Sequence, residues 1–146
     1  MDISSVSRKN TTVVTDFVLP DGTPIIDEKT GKPSFIEIYG PDTDEHNRLV
    51  AKRARDVQLK NQERQSNKNQ QPEPITEDTV KQQKENDAES IAGITANWGG
   101  WYDKGKPLKC TPENAKRLYL LIGTVRRKVD KAFGDEANFL EVSKDS

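Results

Sequence analysis

The sequence predicts an α+β protein: a small N-terminal antiparallel β-unit covered by a helix, followed by a helical C-terminal unit. Three observations carry this reading. β-Branched and aromatic residues gather in short runs between glycine- and proline-marked turns near the N-terminus, at Thr11 to Leu19 and Phe35 to Tyr39. Apolar residues recur at helical spacing behind the helix start Thr111-Pro112-Glu113. Between these regions, Lys60 to Pro74 contains no apolar side chain. The expected organisation is an N-terminal unit over 1–59, a polar Gln/Asn-rich linker or solvent-exposed helix extension over 60–85, and a C-terminal unit over 86–146.

In TTVVTDFVL (Thr11 to Leu19), an extended chain places Val13, Phe17 and Leu19 on one face and Val14 and Val18 on the other. Pro20-Asp21-Gly22-Thr23-Pro24 is a turn, because proline presets φ and glycine accepts a positive one. Ile25-Ile26 is expected as a short strand, broken by the loop from Asp27 to Pro33. FIEIY (Phe35 to Tyr39) is the next, with Ile36 and Ile38 sharing a face. Gly40-Pro41 stops it, and Asp42 with Glu45 resembles a capping box opening a helix. Leu49, Val50, Ala54 and Val57 give that helix a narrow apolar stripe, and Pro72 and Pro74 bound any extension of it.

Thr76 to Asn97 reads as a further helix, worth burying only from Ala88 onward through Ile91, Ala92 and Ile94, and leading into Trp98. Gly99, Gly100 and Gly105 make a turn-rich passage. In Thr111-Pro112-Glu113 a hydroxyl caps, proline takes the first helical position, and the acid faces the positive end of the helix dipole. Ala115, Leu118, Tyr119 and Ile122 form its inner face. Gly123 is expected to end that helix and Thr124 to cap another, carrying Val125, Val129, Ala132 and Phe133 to Gly134. The pair Phe139-Leu140 is expected to dock back onto this αα-hairpin.

Composition limits the core. Hydrophobic residues make up 32% of the 146, charged residues another 32%, and the mean hydropathy is -0.90. Ordering costs roughly 1–2 kcal/mol of backbone entropy per residue, so so sparse an apolar supply leaves some segments mobile or dependent on a partner. A net charge of -1 supplies no global field for nucleic acid or an anionic membrane. No apolar run approaches membrane-spanning length, and MDISSVSRKN lacks the apolar core of a signal peptide. With a single cysteine, Cys110, no internal disulfide forms, and a reducing cytoplasm is the expected compartment.

Candidate chemistry is thin. One histidine, His46, and one cysteine cannot supply the usual zinc spacing. His46, in a first helical turn, is expected exposed, and Cys110 is expected as a small buried hydrophobe. The three glycines at 99, 100 and 105 lack the strand and lysine-serine/threonine ending of a phosphate loop. Arg126-Arg127-Lys128 reads as a solvated helix face. Arg48, Lys52, Arg53 and Arg55 form a basic patch diluted by Asp56, with no interleaved aromatic for base stacking. The residues therefore point away from an enzyme, with no cofactor and no metal, and make nucleic-acid binding the lesser reading. Trp98 and Trp101 are either core residues or partner-binding anchors. Trp101, between Gly100 and Tyr102-Asp103, is expected to face outward from a turn, and Trp98, ending a helix, inward.

Two blocks of the sequence together resemble the tail assembly chaperones of tailed bacteriophages. The first is Ile36-Glu37-Ile38-Tyr39-Gly40-Pro41-Asp42-Thr43. The second combines Trp98, Gly100, Asp103-Lys104-Gly105-Lys106-Pro107, Thr111-Pro112-Glu113-Asn114-Ala115 and Ala137-Asn138-Phe139-Leu140. They span about a third of the chain. Cys110 stands where an aromatic often precedes the threonine, and Thr43 where serine is common. The resemblance implies a non-enzymatic protein of the host bacterial cytoplasm, absent from the mature virion. It implies binding of the tape measure protein, recruitment of tail tube protein, and in many relatives a longer form made by ribosomal frameshifting. The family carries no agreed active residues. On physical grounds the expected partner-binding set is Ile91, Ile94, Trp98, Trp101, Phe139 and Leu140, and homo-oligomerisation stays open. The alternatives are a small nucleic-acid-binding or regulatory protein, which salt-dependent DNA binding would reveal, and a structural tail or connector component, which would be found in purified virions.

Overall fold

FIEIY holds the centre of the molecule because Ile36 and Ile38, two residues apart on an extended chain, point to one face and are completely buried. The computed structural model describes residues 2–66 and 75–142. In chain order they form β1 (Val6–Arg8), β2 (Thr11–Val14), β3 (Phe35–Tyr39), α1 (Asp44–Ser66), α2 (Glu77–Ala92), β4 (Thr95–Gly99), β5 (Tyr102–Asp103), β6 (Lys106–Pro107), α3 (Pro112–Leu121), α4 (Gly123–Phe133) and β7 (Leu140–Val142), with 3-10 turns at Ile3–Ser5 and Glu136–Phe139. The fold class is α+β.

β2, β3 and β4 make a three-stranded antiparallel sheet in that order, with Val14 opposite Ile36 and Ile36 opposite Trp98. Its inner face, Val14, Ile36, Ile38 and Trp98, packs under three helices. α2 contributes Ala88, Ile91 and Ala92, α3 contributes Ala115, Leu118 and Tyr119, and α4 contributes Val125, Val129 and Phe133. Burying each large apolar side chain stabilises by roughly 1.5–3 kcal/mol, and this single cluster draws on both ends of the chain.

Several elements differ from expectation. The strand from Thr11 stops at Val14, because Asp16 takes a left-handed φ of 61° and turns the chain. That break changes the alternation: Phe17 joins Val14 in the core, and Val13 faces out. Ile25-Ile26 forms no strand of its own; Val18–Pro24 makes an isolated bridge around the Gly22 turn and Ile26–Pro33 another around the loop that carries Gly31. The helix after β3 starts at Asp44, capped by Thr43, whose Oγ1 accepts from the His46 N–H at 3.2 Å. Asp42 instead pairs with Arg8 at 2.8 Å. The helix expected over Thr76 to Asn97 ends at Ala92, and the chain then turns into β4, so Trp98 is a strand residue. The turn-rich passage is a tight hairpin of β5 and β6. Lys104 and Gly105 both have positive φ there, as a two-residue hairpin turn requires.

Thr111 caps α3 as expected, accepting from the Asn114 N–H at 3.2 Å with Pro112 in the first turn. α4 begins at Gly123 with no side-chain cap, and the Thr124 hydroxyl donates to the Val18 carbonyl at 2.6 Å instead. Phe139 docks as expected, but Leu140 opens β7, which pairs antiparallel with β1 and joins Val6 to Val142 in register.

One sheet therefore spans the expected N-terminal and C-terminal units. Of the expected linker, residues 60–66 continue α1 and 77–85 open α2, while 67–74 lie outside the described residues.

Candidate partner-binding surface

Five of the six residues expected to meet a partner are core. Ile91 is 1% exposed, Ile94 0%, Trp98 and Trp101 7% each, and Phe139 1%. A buried indole needs an acceptor, and both tryptophans have one. Trp98 Nε1 donates to the Leu108 carbonyl at 2.8 Å and Trp101 Nε1 to the Phe35 carbonyl at 3.1 Å. Trp101 does not face outward. Gly100, with φ of 83°, turns the chain so that the ring lies 5.7 Å from Phe17 and 6.4 Å from Trp98. Phe139 packs beside Gly40 and edge-on to His46 at 6.4 Å. Leu140, 40% exposed, lies at a shallow notch with Arg8 and Pro41.

Accessible apolar side chains lie elsewhere, on the N-terminal loops at Ile3, Val18, Leu19 and Ile26, and on the two helices flanking residues 67–74. α1 is anchored at its base. Leu49 is buried, the His46 ring stacks 4.2 Å from Phe133, Arg53 pairs with Asp130 at 2.9 Å, and Lys52 donates to Ser90 at 3.3 Å. Beyond that base every side chain from Ala54 to Gln62 is exposed, including Val57 and Leu59, with Val50 half-exposed just below. α2 mirrors this: from Glu77 to Lys84 all side chains are exposed, and burial starts in earnest at Ala88. Ile75 and Val80 line an open groove of about 410 Å³ with Lys81 and Lys84. Leu120 and Leu121 at the end of α3 add a smaller exposed pair.

His46 is thus half-buried rather than exposed, and Cys110 is half-buried against the core. The basic groups are largely engaged. Arg127 and Lys128 are exposed as expected of a solvated face, with Lys128 donating to the Asp16 carbonyl at 2.7 Å, whereas Arg126 reaches Asp87 at 3.3 Å with its side chain only 18% exposed.

The titratable groups serve structure. Burial pushes the Tyr119 phenol up. Burial also raises the Cys110 thiol, which disfavours a thiolate nucleophile. The backbone N–H of Lys29 and then the Tyr102 hydroxyl lower Asp27, and the Arg117 hydrogen bond and charge lower Asp103. Among the described residues no group of three or more His, Cys, Asp or Glu side chains is placed to hold a metal ion, and no helix is long and apolar enough to cross a membrane.

No protein-family model, no curated protein and no solved structure matches this chain.

Proposed function

We propose that this protein is a tail assembly chaperone of a tailed bacteriophage, binding the tape measure protein in the host cytoplasm and helping to recruit tail tube protein. The reading rests on the two sequence blocks, which are far apart in the chain yet adjacent in the fold: Ile36 of the first lies opposite Trp98 of the second, and Gly40 touches the Phe139 ring. One surface observation carries it further. α1 leaves the body with Val50, Val57 and Leu59 exposed, and Ile75 and Val80 are exposed at the start of α2. Unpaired helical surface of this kind suits an amphipathic helix of a partner, the recognition mode that a long helical client offers.

Co-expression with the tape measure protein of the same genome tests it. Tagged wild type is expected to keep that protein soluble and to co-purify with it, and Val50→Asp/Val57→Asp is expected to recover less while melting as wild type does. Failure of the wild type to recover it rejects the assignment; equal recovery by the folded double variant rejects only the surface.

A further inference from the structure

β2 is an edge strand of the three-stranded sheet. The Gly40 N–H donates to the Asn10 carbonyl at 2.6 Å, and hydrogen-bonded pairs alternate along an antiparallel ladder. Thr12 and Val14 therefore exchange hydrogen bonds with Ile38 and Ile36, and Thr11 and Val13 turn their N–H and C=O groups outward. Among the described residues no strand pairs with β2 on that side, and the edge is closed at its Lys9 end, where the Lys9 N–H donates to the Phe139 carbonyl at 2.8 Å. α4 stands beside the edge as a wall: Thr12 to Thr15 face Lys128, Lys131 and Ala132 across a groove of about 300 Å³. Val13 is 54% exposed. Lys128 is held in place by its bond to the Asp16 carbonyl and by the Phe17 ring 5.7 Å away.

We propose that this groove binds an extended segment of another protein by strand addition to β2, with a carboxylate of that segment against Lys128 and Lys131. Main-chain groups of Thr11 and Val13 would supply the pairing, and the lysines the choice of partner. Asp135, also in the lining, leaves the wall net positive. Charge decides against a second copy of this chain as occupant. Two β2 edges paired about a two-fold axis would bring both copies' lysines to one seam, where like charges repel. The proposal does not depend on the tail-assembly reading.

A nuclear magnetic resonance titration of the full chain tests it. The probes are two terminally blocked peptides of alternating valine and threonine, one with glutamate at each end and one with lysine there. The expected result is saturable binding of the glutamate peptide, with amide shifts centred on Thr11 to Thr15, and binding of the lysine peptide weaker by about tenfold or more. Val13→Pro removes an outward N–H and leaves the ladder to β3 intact, so it should abolish the shifts. Lys131→Glu, an exposed change that keeps the fold, should reverse the preference between the peptides. No saturable binding by wild type, an unchanged preference in Lys131→Glu, or self-association of wild type through this edge would each overturn the proposal.

Discussion

Ser34 Oγ donates to the carbonyl of Gly100 at 2.7 Å, and Ser34 is completely buried. This bond ties the entry of β3 to the second of the two glycines between the tryptophans. A Cβ built on Gly100 would lie 2.7 Å from that same Oγ and 3.1 Å from Asp27 Cβ, at a φ of 83°. Gly100 therefore has two reasons to lack a side chain. Gly100→Ala is expected to destabilise by about 1–3 kcal/mol, measured by urea denaturation. Gly105→Ala meets open space and carries only the backbone cost, so it should be the milder change. Equal losses would show that the close approach to Ser34 contributes nothing.

Tyr119 lies under α2 with its hydroxyl 2.6 Å from Thr95 Oγ1. The Thr95 hydroxyl donates to the Ile91 carbonyl at 2.9 Å, so the phenol is the donor to Thr95. Tyr119→Phe removes one buried hydrogen bond and is expected to cost about 1 kcal/mol with helicity unchanged. A variant as stable as wild type in thermal and urea unfolding would show that the bond is not formed in solution.

Core and projecting positions should separate cleanly. Trp101→Ala opens a cavity among Phe17, Trp98 and Phe35 and is expected to cost about 3–5 kcal/mol, and Leu118→Asp to cost several more as a charge buried without a partner. Val57→Asp, on the free part of α1, is expected to stay within about 0.5 kcal/mol of wild type. Thermal melts of the three variants decide this. A fully folded Trp101→Ala would return that residue to the partner-binding surface.

Acid should weaken the hairpin end. As a carboxylate Asp103 accepts from the Arg117 guanidinium at 3.0 Å, and that bond and charge hold its pKa below the usual carboxylate range. A folded-state pKa below the unfolded one contributes stability that is present above the unfolded value and lost as pH falls through the folded value. The loss is therefore expected below about pH 4, and Asp103→Asn should flatten it. Melting temperatures of the two proteins between pH 7 and pH 3 provide the check, with parallel curves as the contrary result.

Local signals in the sequence are legible where neighbouring residues decide the structure. The Thr111 cap with Pro112 and the alternation of Ile36 and Ile38 needed no knowledge of the rest of the chain. The strand at Trp98 was not legible in this way. Ala88, Ile91, Ala92 and Ile94 continue a helical period, and the chain leaves the helix at Gly93 because the free edge of β3 is there to be paired. Asp16 likewise gives no signal of a left-handed turn, yet that turn exchanges the faces of Val13 and Phe17. The exposed surface is hidden in the sequence for the same reason. A short chain poor in apolar residues spends its tryptophans on the core, and the exposed valines of α1 look in sequence like any buried stripe.

The pairing of β3 with β4 also changes what breaking the chain between α1 and α2 would do. Tyr39 donates to the Ile94 carbonyl at 2.9 Å, so the two strands on either side of the helical excursion are next-door neighbours. A single cut there would not set two bodies free, since the sheet, the β1–β7 pair and the common core bridge it. The break would instead leave two fragments with a shared sheet between them. The piece ending in α1 and the piece beginning at α2 each carry one half of the Ile36–Trp98 register, and reassembly of the separately made halves would restore it.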